Sequence, residues 1–135
     1  MMAANLHNAG QLLCAWNRSP ARGQELVERC GATVVADLAT AVGEAELVIT
    51  CVSTDADLLS VCDRIKDHMP RGSILLDTST VAAGTARTIA ARSSCRLSKL
   101  TTNAVRPATA STVRRLHGFS AKVKVSSLLA AGWLP

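Results

Sequence analysis

Four short apolar runs punctuate the chain: "QLLCAW" (11–16), "ATVV" (32–35), "ELVITCV" (46–52) and "SILLD" (73–77). "ELVITCV" constrains the fold most. Its nearly unbroken apolar character, without polar alternation, is that of a strand covered on both faces, the usual condition of a parallel sheet. Each run is followed by a segment with helical spacing. Strands alternating with helices require crossover connections, so the expected fold class is α/β, a doubly wound parallel sheet with helices on both faces.

The helical segments carry their own punctuation. "MAANLHN" (2–8) is stopped by Ala9-Gly10, because glycine accepts the left-handed conformation of a helix end. In "SPARGQELVERCG", Ser19 is a candidate N-cap, Pro20 suits the first helical position, and Gly31 closes the helix. Leu26, Val27 and Cys30 are expected on its inner face. Asp37 can cap "LATAVGEA". "STDADLLSVCDRIKDHM" (53–69) begins with capping residues and places Leu58, Leu59, Cys62, Ile65 and Met69 in one stripe. "PRG" is a turn, and "TVAAGTARTIAARS" reads as the last helix of the series.

The 135 residues suffice for one domain. Apolar residues make up 48% and aromatics only 2%, so any core is aliphatic. The five cysteines, Cys14, Cys30, Cys51, Cys62 and Cys95, are odd in number and show no C-x-x-C spacing. They argue against a disulfide framework or a zinc site and for reduced, buried thiols of a cytoplasmic protein. No apolar window approaches the ~18 residues of a membrane span, and "MMAANLHNAG" lacks the features of a signal peptide.

Charge divides the chain. Residues 1–91 hold seven Lys/Arg against ten Asp/Glu, a net of −3. Residues 92–135 hold eight Lys/Arg and no acid, a net of +8. The expected organisation is a dinucleotide-type domain over 1–92 and an irregular basic tail over 93–135. In the tail only "FSAKVKVSS" alternates, and weakly.

Ligands of doubly wound sheets bind at the carboxyl ends of the strands. The first such end is Asn17-Arg18-Ser19. In a dinucleotide fold this strand end meets the adenosine ribose, where an acid accepts from a free 2′-hydroxyl and a cation suits a 2′-phosphate. No acid stands here. Arg18 can hold a phosphate with two parallel hydrogen bonds, and Asn17 and Ser19 add polar capacity, so the triplet favours NADP, with NAD as the alternative. The same residues equally fit a solvated cation and a helix start. At the second end Val52 and Ser53 would lie beside a cofactor, or Ser53 would simply cap a helix. At the third, Asp77-Thr78-Ser79-Thr80 offers hydroxyls to a nicotinamide carboxamide, or caps the following helix. No glycine precedes Gly10. A first strand and its glycine-rich, pyrophosphate-binding turn are therefore expected to be missing.

The ordered segments "MMAANLHNAG…LCAWNRSP", "ADLATAVGEAELVITCVSTDADLLSV" and "PRGSILLDTSTVAAGTARTIAA" resemble the N-terminal NAD(P)-binding domain of the β-hydroxyacid dehydrogenases, relatives of 3-hydroxyisobutyrate dehydrogenase and 6-phosphogluconate dehydrogenase. The resemblance covers residues 1 to about 92 and implies a Rossmann-type domain truncated at both ends. It implies oxidation of a small-molecule β-hydroxyacid by hydride transfer in the full-length family. It puts Asn17, Arg18 and Ser19 at the adenosine ribose or its phosphate, Val52 and Ser53 along the cofactor channel, and Thr80 at the nicotinamide. Where the family's substrate loop D-A-P-V-S-G-G is due, this chain has "TTNAVRPATAS", and the K-x-x-N-N motif has no counterpart. No residue is therefore assigned a catalytic role, and cofactor binding is expected to be weak or lost.

Two other functions stand beside this one. The +8 tail suits salt-dependent, sequence-blind association with nucleic acid, although Phe119 and Trp133 alone could stack on bases. A basic tail without a partner explains the same charges. Loss of the central strand would leave its neighbours with unpaired backbone groups, an edge prone to self-association.

Overall fold

The computed structural model describes residues 2–92, 99–102 and 125–129. The elements in chain order are α1 (Met2–Asn8), β1 (Leu12–Asn17), α2 (Pro20–Cys30), α3 (Leu38–Val42), β2 (Leu47–Cys51), α4 (Asp55–Ile65), β3 (Ile74–Asp77), α5 (Ala83–Arg92), β4 (Lys99–Thr102) and β5 (Val125–Leu129). The five strands form one sheet in the order β1-β5-β2-β3-β4, and every pairing is parallel.

Boundaries follow local chemistry. Gly31 ends α2 at φ 71°, a left-handed conformation that glycine adopts without a Cβ clash, and its N–H donates to the Val27 carbonyl. Asp37 caps α3 by accepting from the Thr40 N–H at 2.8 Å. Thr54 caps α4 by accepting from the Asp57 N–H at 3.1 Å. Ser19 occupies the N-cap of α2 and Pro20 its first position, but the serine side chain makes no capping bond.

The strands alternate between two covered faces. Cys14 and Trp16 of β1, Val48 of β2 and Leu75 of β3 pack with Leu38, Ala41, Val42, Leu58, Val61, Cys62, Ile65 and Ile89, so α3, α4 and α5 cover this face. Ala15 of β1 packs with Ala3 and Leu26 on the other face, beneath α1 and α2, and Leu6 of α1 also lies against Leu47 and Ile49. Each fully buried Leu or Ile contributes about 1.5–3 kcal/mol, so this aliphatic core holds the layers together. Leu58, Cys62, Ile65 and Met69 are buried as their spacing predicts, while Leu59 is half-buried against them. Val27 departs from expectation. It is 36% exposed because Leu26 alone turns fully inward from that stretch of α2.

Three expectations are corrected. "ATVV" forms no strand; Val34 makes a single parallel bridge to Ala15, with Ala15 N–H donating to the Thr33 carbonyl and Val35 N–H to the Ala15 carbonyl. The segment after Arg92 is not irregular throughout, because Lys99–Thr102 and Val125–Leu129 are strands; residues 119–124 of "FSAKVKVSS" lie outside the described residues. And β1 and β2 are not left unpaired. β5 lies between them, with Ala15, Trp16 and Asn17 opposite Ser127, Leu128 and Leu129 on one side and Val48, Ile49 and Cys51 opposite Ser126, Ser127 and Leu129 on the other.

With the Val34 bridge outside β1, the spatial order is Val34, β1, β5, β2, β3, β4. A dinucleotide fold has the order 3-2-1-4-5-6. β5, the last strand among the described residues, therefore stands where that fold has its first. A central strand is bonded on both sides, so backbone pairing and two neighbours can hold "VSSLL" there without a strong side-chain pattern.

Candidate functional site

Since the strands are parallel and β5 lies between β1 and β2, the segments leaving β1, β2 and β3 emerge at one edge of the sheet. Asn17, Leu129 and Cys51 are register partners across that edge, and Thr50 is level with Asp77. The sequence-predicted residues fall there together: Asn17 ends β1 and Arg18-Ser19 follow it, Val52-Ser53 follow β2, and Thr80 lies three residues beyond β3. This edge is a topological switch point, where connections leave toward opposite faces of the sheet.

At the β1 end the backbone is shaped locally. The Asn17 side chain folds onto its own loop, its Oδ1 accepting from the Ser19 N–H at 2.9 Å. Arg18 is not a free solvated cation. Its Nη1 pairs with Asp57 Oδ1 in the first turn of α4. That contact joins the chain leaving β1 to the helix that follows β2, across the end of β5. Asp57 is anchored further, because its Oδ2 accepts from the Thr54 hydroxyl at 2.9 Å.

At the β2 and β3 ends the fastening is buried. Asp77 is fully buried. Its Oδ1 accepts from the Thr50 hydroxyl at 2.7 Å and from the Ser79 hydroxyl at 2.7 Å. Ser79 Oγ in turn accepts from the Val52 N–H at 2.9 Å, and the Thr78 hydroxyl donates to the Thr50 carbonyl at 2.8 Å. Asp77 Oδ2 has no hydrogen-bond partner among the described residues. Two of the hydroxyls expected to face a ligand, Thr78 and Ser79, are thus spent on joining β2 to β3, while Thr80 and Ser53 are exposed beside them.

A third link ties the helices. Asp55 Oδ1 accepts from the Ala82 N–H at 2.9 Å, at the approach to α5. Hydrogen bonds from the Thr85 hydroxyl and then from Ala82 hold the Asp55 carboxyl below its usual range. Below Asp77, burial and then the charges of Asp77 and Asp63 push the Cys62 thiol up to about 12, so it stays protonated. Cys14, Cys30, Cys51 and Cys62 form no disulfide among the described residues. No group of three or more His, Cys, Asp or Glu able to hold a metal occurs among the described residues, and none of their helices is long and apolar enough to cross a membrane.

Sequence reasoning missed Asp57, Thr50 and the internal role of Ser79. Asp57 sat in view as a first-turn acid of a capped helix, but its partner lies 39 positions away. Thr50, the one polar residue within the "LVITC" strand, was the available signal for a buried polar tie.

The fold and this edge define a domain of the dinucleotide-binding class, with helices on both faces and polar strand ends gathered at one rim. Residues 1–101 match the family of NAD-binding domains of 6-phosphogluconate dehydrogenase. The chain belongs to that family. Among curated proteins it is 34% identical over 93 residues to an oxidoreductase of Shewanella frigidimarina described as uncharacterised, a match covering 67% of this chain and 32% of that protein. Its fold is similar to that of Mycobacterium tuberculosis 3-hydroxyisobutyrate dehydrogenase solved with L-serine, with a TM-score of 0.72 at 22% identity, covering 96% of this chain and 50% of the other. A putative oxidoreductase from Mycobacterium avium 104 gives a TM-score of 0.56 at 20% identity over 77% of this chain and 46% of that one. The chain thus spans about a third of its curated relative and half or less of these two structures.

Proposed function

We propose that this chain is the NADP-binding part of a β-hydroxyacid oxidoreductase of the 3-hydroxyisobutyrate dehydrogenase type. The observation that carries the reading is the common edge: the segments after β1, β2 and β3 emerge side by side in one direction, on both sides of β5. Asn17, Arg18 and Ser19 would receive the adenosine ribose and its 2′-phosphate. Val52 and Ser53 would line the passage across the sheet, and Thr80 would meet the nicotinamide. A bound nicotinamide accepts or donates the hydride. The protein's part is to orient that ring and exclude water from it. Arg18 supports NADP over NAD because no acid follows β1 to receive a 2′-hydroxyl.

Weak cofactor binding by these 135 residues is the expected outcome. They carry no G-x-G-x-x-G turn to cradle the pyrophosphate and no counterpart of the family's K-x-x-N-N motif. Titration with NADPH and NADH, read by nucleotide fluorescence, tests this. The expected NADPH dissociation constant is about 0.1 mM, roughly −5.5 kcal/mol, with NADH clearly weaker. Absence of saturation with NADPH up to millimolar concentration, or NADH binding at least as tightly, would overturn the reading.

A further inference from the structure

We infer that Asp57 is a specificity-determining residue, a built-in carboxylate that competes with an incoming phosphate for the Arg18 guanidinium. The inference rests on the proposed adenosine-side role of Arg18. Three observations support it. The pair is asymmetric in exposure: the Arg18 side chain is 57% exposed, whereas that of Asp57 is 18% exposed. Asp57 is also tied down at both its side chain and its backbone, since Oδ2 accepts from the Thr54 hydroxyl and its N–H donates to Thr54 Oγ1. And the contact crosses the end of β5, joining the two strand ends between which a dinucleotide must pass.

Opening the pair therefore means that Arg18 swings while Asp57 stays at the N-terminus of α4, where the helix dipole favours its charge. Only a ligand offering Arg18 another anion can replace that contact. A 2′-phosphate does so, with bidentate geometry; a 2′-hydroxyl does not. The pair thus raises the threshold only for a ligand that takes Arg18 from Asp57; a nucleotide without the 2′-phosphate leaves the pair closed and gains nothing from the guanidinium. Two strand spacings of about 4.8 Å separate the ends of β1 and β2, a gap that an Arg side chain bridges in either direction.

The test uses the full chain and 2′,5′-ADP as the probe, with 5′-AMP as reference, followed by calorimetry or NMR titration. Asp57→Asn keeps an acceptor for the Thr54 hydroxyl and releases Arg18. The expected result is about fivefold tighter binding of 2′,5′-ADP, the upper range for losing an exposed ion pair, with 5′-AMP unchanged. Arg18→Ala should reduce 2′,5′-ADP to the affinity of 5′-AMP, and Asp57→Asn should give no gain in that background. Equal affinities in wild type and Asp57→Asn, the same gain with and without Arg18, or no binding of 2′,5′-ADP to either chain would each overturn the inference. The dinucleotide reading fails separately. If 2′,5′-ADP behaves as expected while NADPH shows no saturation, the Arg18–Asp57 competition stands without it; if NADPH binds and Asp57→Asn changes nothing, the competition is refuted and the dinucleotide reading survives.

Discussion

At the end of β1 the chain is fastened by an exposed guanidinium resting on a carboxylate; at the ends of β2 and β3 it is fastened by a buried carboxylate resting on two hydroxyls. The chemistry is similar and the setting opposite. The Arg18–Asp57 contact faces solvent, so water and salt screen it and its net worth is about 0–1 kcal/mol. The Thr50–Asp77–Ser79 tie lies in the core, where each polar group left without its partner costs about 1–3 kcal/mol. The first can exchange partners at little cost and suits a recognition group. The second cannot, and it fixes the backbone of Val52 and Ser79 beside the exposed Ser53 and Thr80.

The largest effect that would break this contrast concerns Asp77. Asp77→Ala strands two buried hydroxyls and should lower unfolding free energy by about 3 kcal/mol in urea titration. Asp77→Asn retains an acceptor at Oδ1 and should cost less than half of that, while Thr50→Val, removing one donor, should cost about 1 kcal/mol. An Asp77→Ala variant as stable as wild type would show that the buried tie is no stronger than the surface pair.

The smallest expected effect is acid sensitivity at the exposed links. Asp37 is held below its ordinary value of 3.8 chiefly by the Thr40 N–H, and Asp55 chiefly by the Thr85 hydroxyl. Their pKa values are depressed by folding, so the stability they contribute is present above 3.8 and is lost as pH falls through the lower folded values. Chemical denaturation at stepped pH should show their share constant from neutrality to about pH 5 and declining below about pH 4. Asp37→Asn, which can still accept from Thr40, should flatten part of that decline; an identical acid profile in the variant would contradict the assignment.

Much of the architecture could be read from residues. "ELVITCV" announced a strand buried on both faces, and Val48 and Ile49 are buried against opposite helical layers. Ser19-Pro20, Gly31 and Asp37 marked helix ends through local chemistry that operates within a few residues, whereas the cap read at Ser53 falls one residue later, on Thr54. Long-range pairing was opaque. Nothing in "VSSLL" distinguishes a central strand from a loop, because its place depends on backbone pairing with β1 and β2, more than seventy positions away. Arg18 could be placed at a strand end, but its contact with Asp57 depends on how α4 returns over the sheet. Ser79 was read as facing a ligand because a hydroxyl at a strand end can turn outward or inward, and only the buried Asp77 decides which.

β5, paired in parallel with both β1 and β2, is what joins them in one sheet and sets their carboxyl ends at a shared rim. The native cysteines allow a direct test, since Cys14 is the register partner of Ser126 and Cys51 that of Leu129. Register partners on neighbouring strands share a face, and their spacing of about 4.8 Å lies within disulfide range. Full-length Ser126→Cys and Leu129→Cys proteins would be oxidised under dilute, native conditions and their disulfides mapped by peptide mass. In the first monomer the introduced thiol should bridge to Cys14; in the second it should bridge to Cys51. Monomers whose introduced thiol stays free, or pairs with Cys30, Cys62 or Cys95 instead, would contradict that strand order.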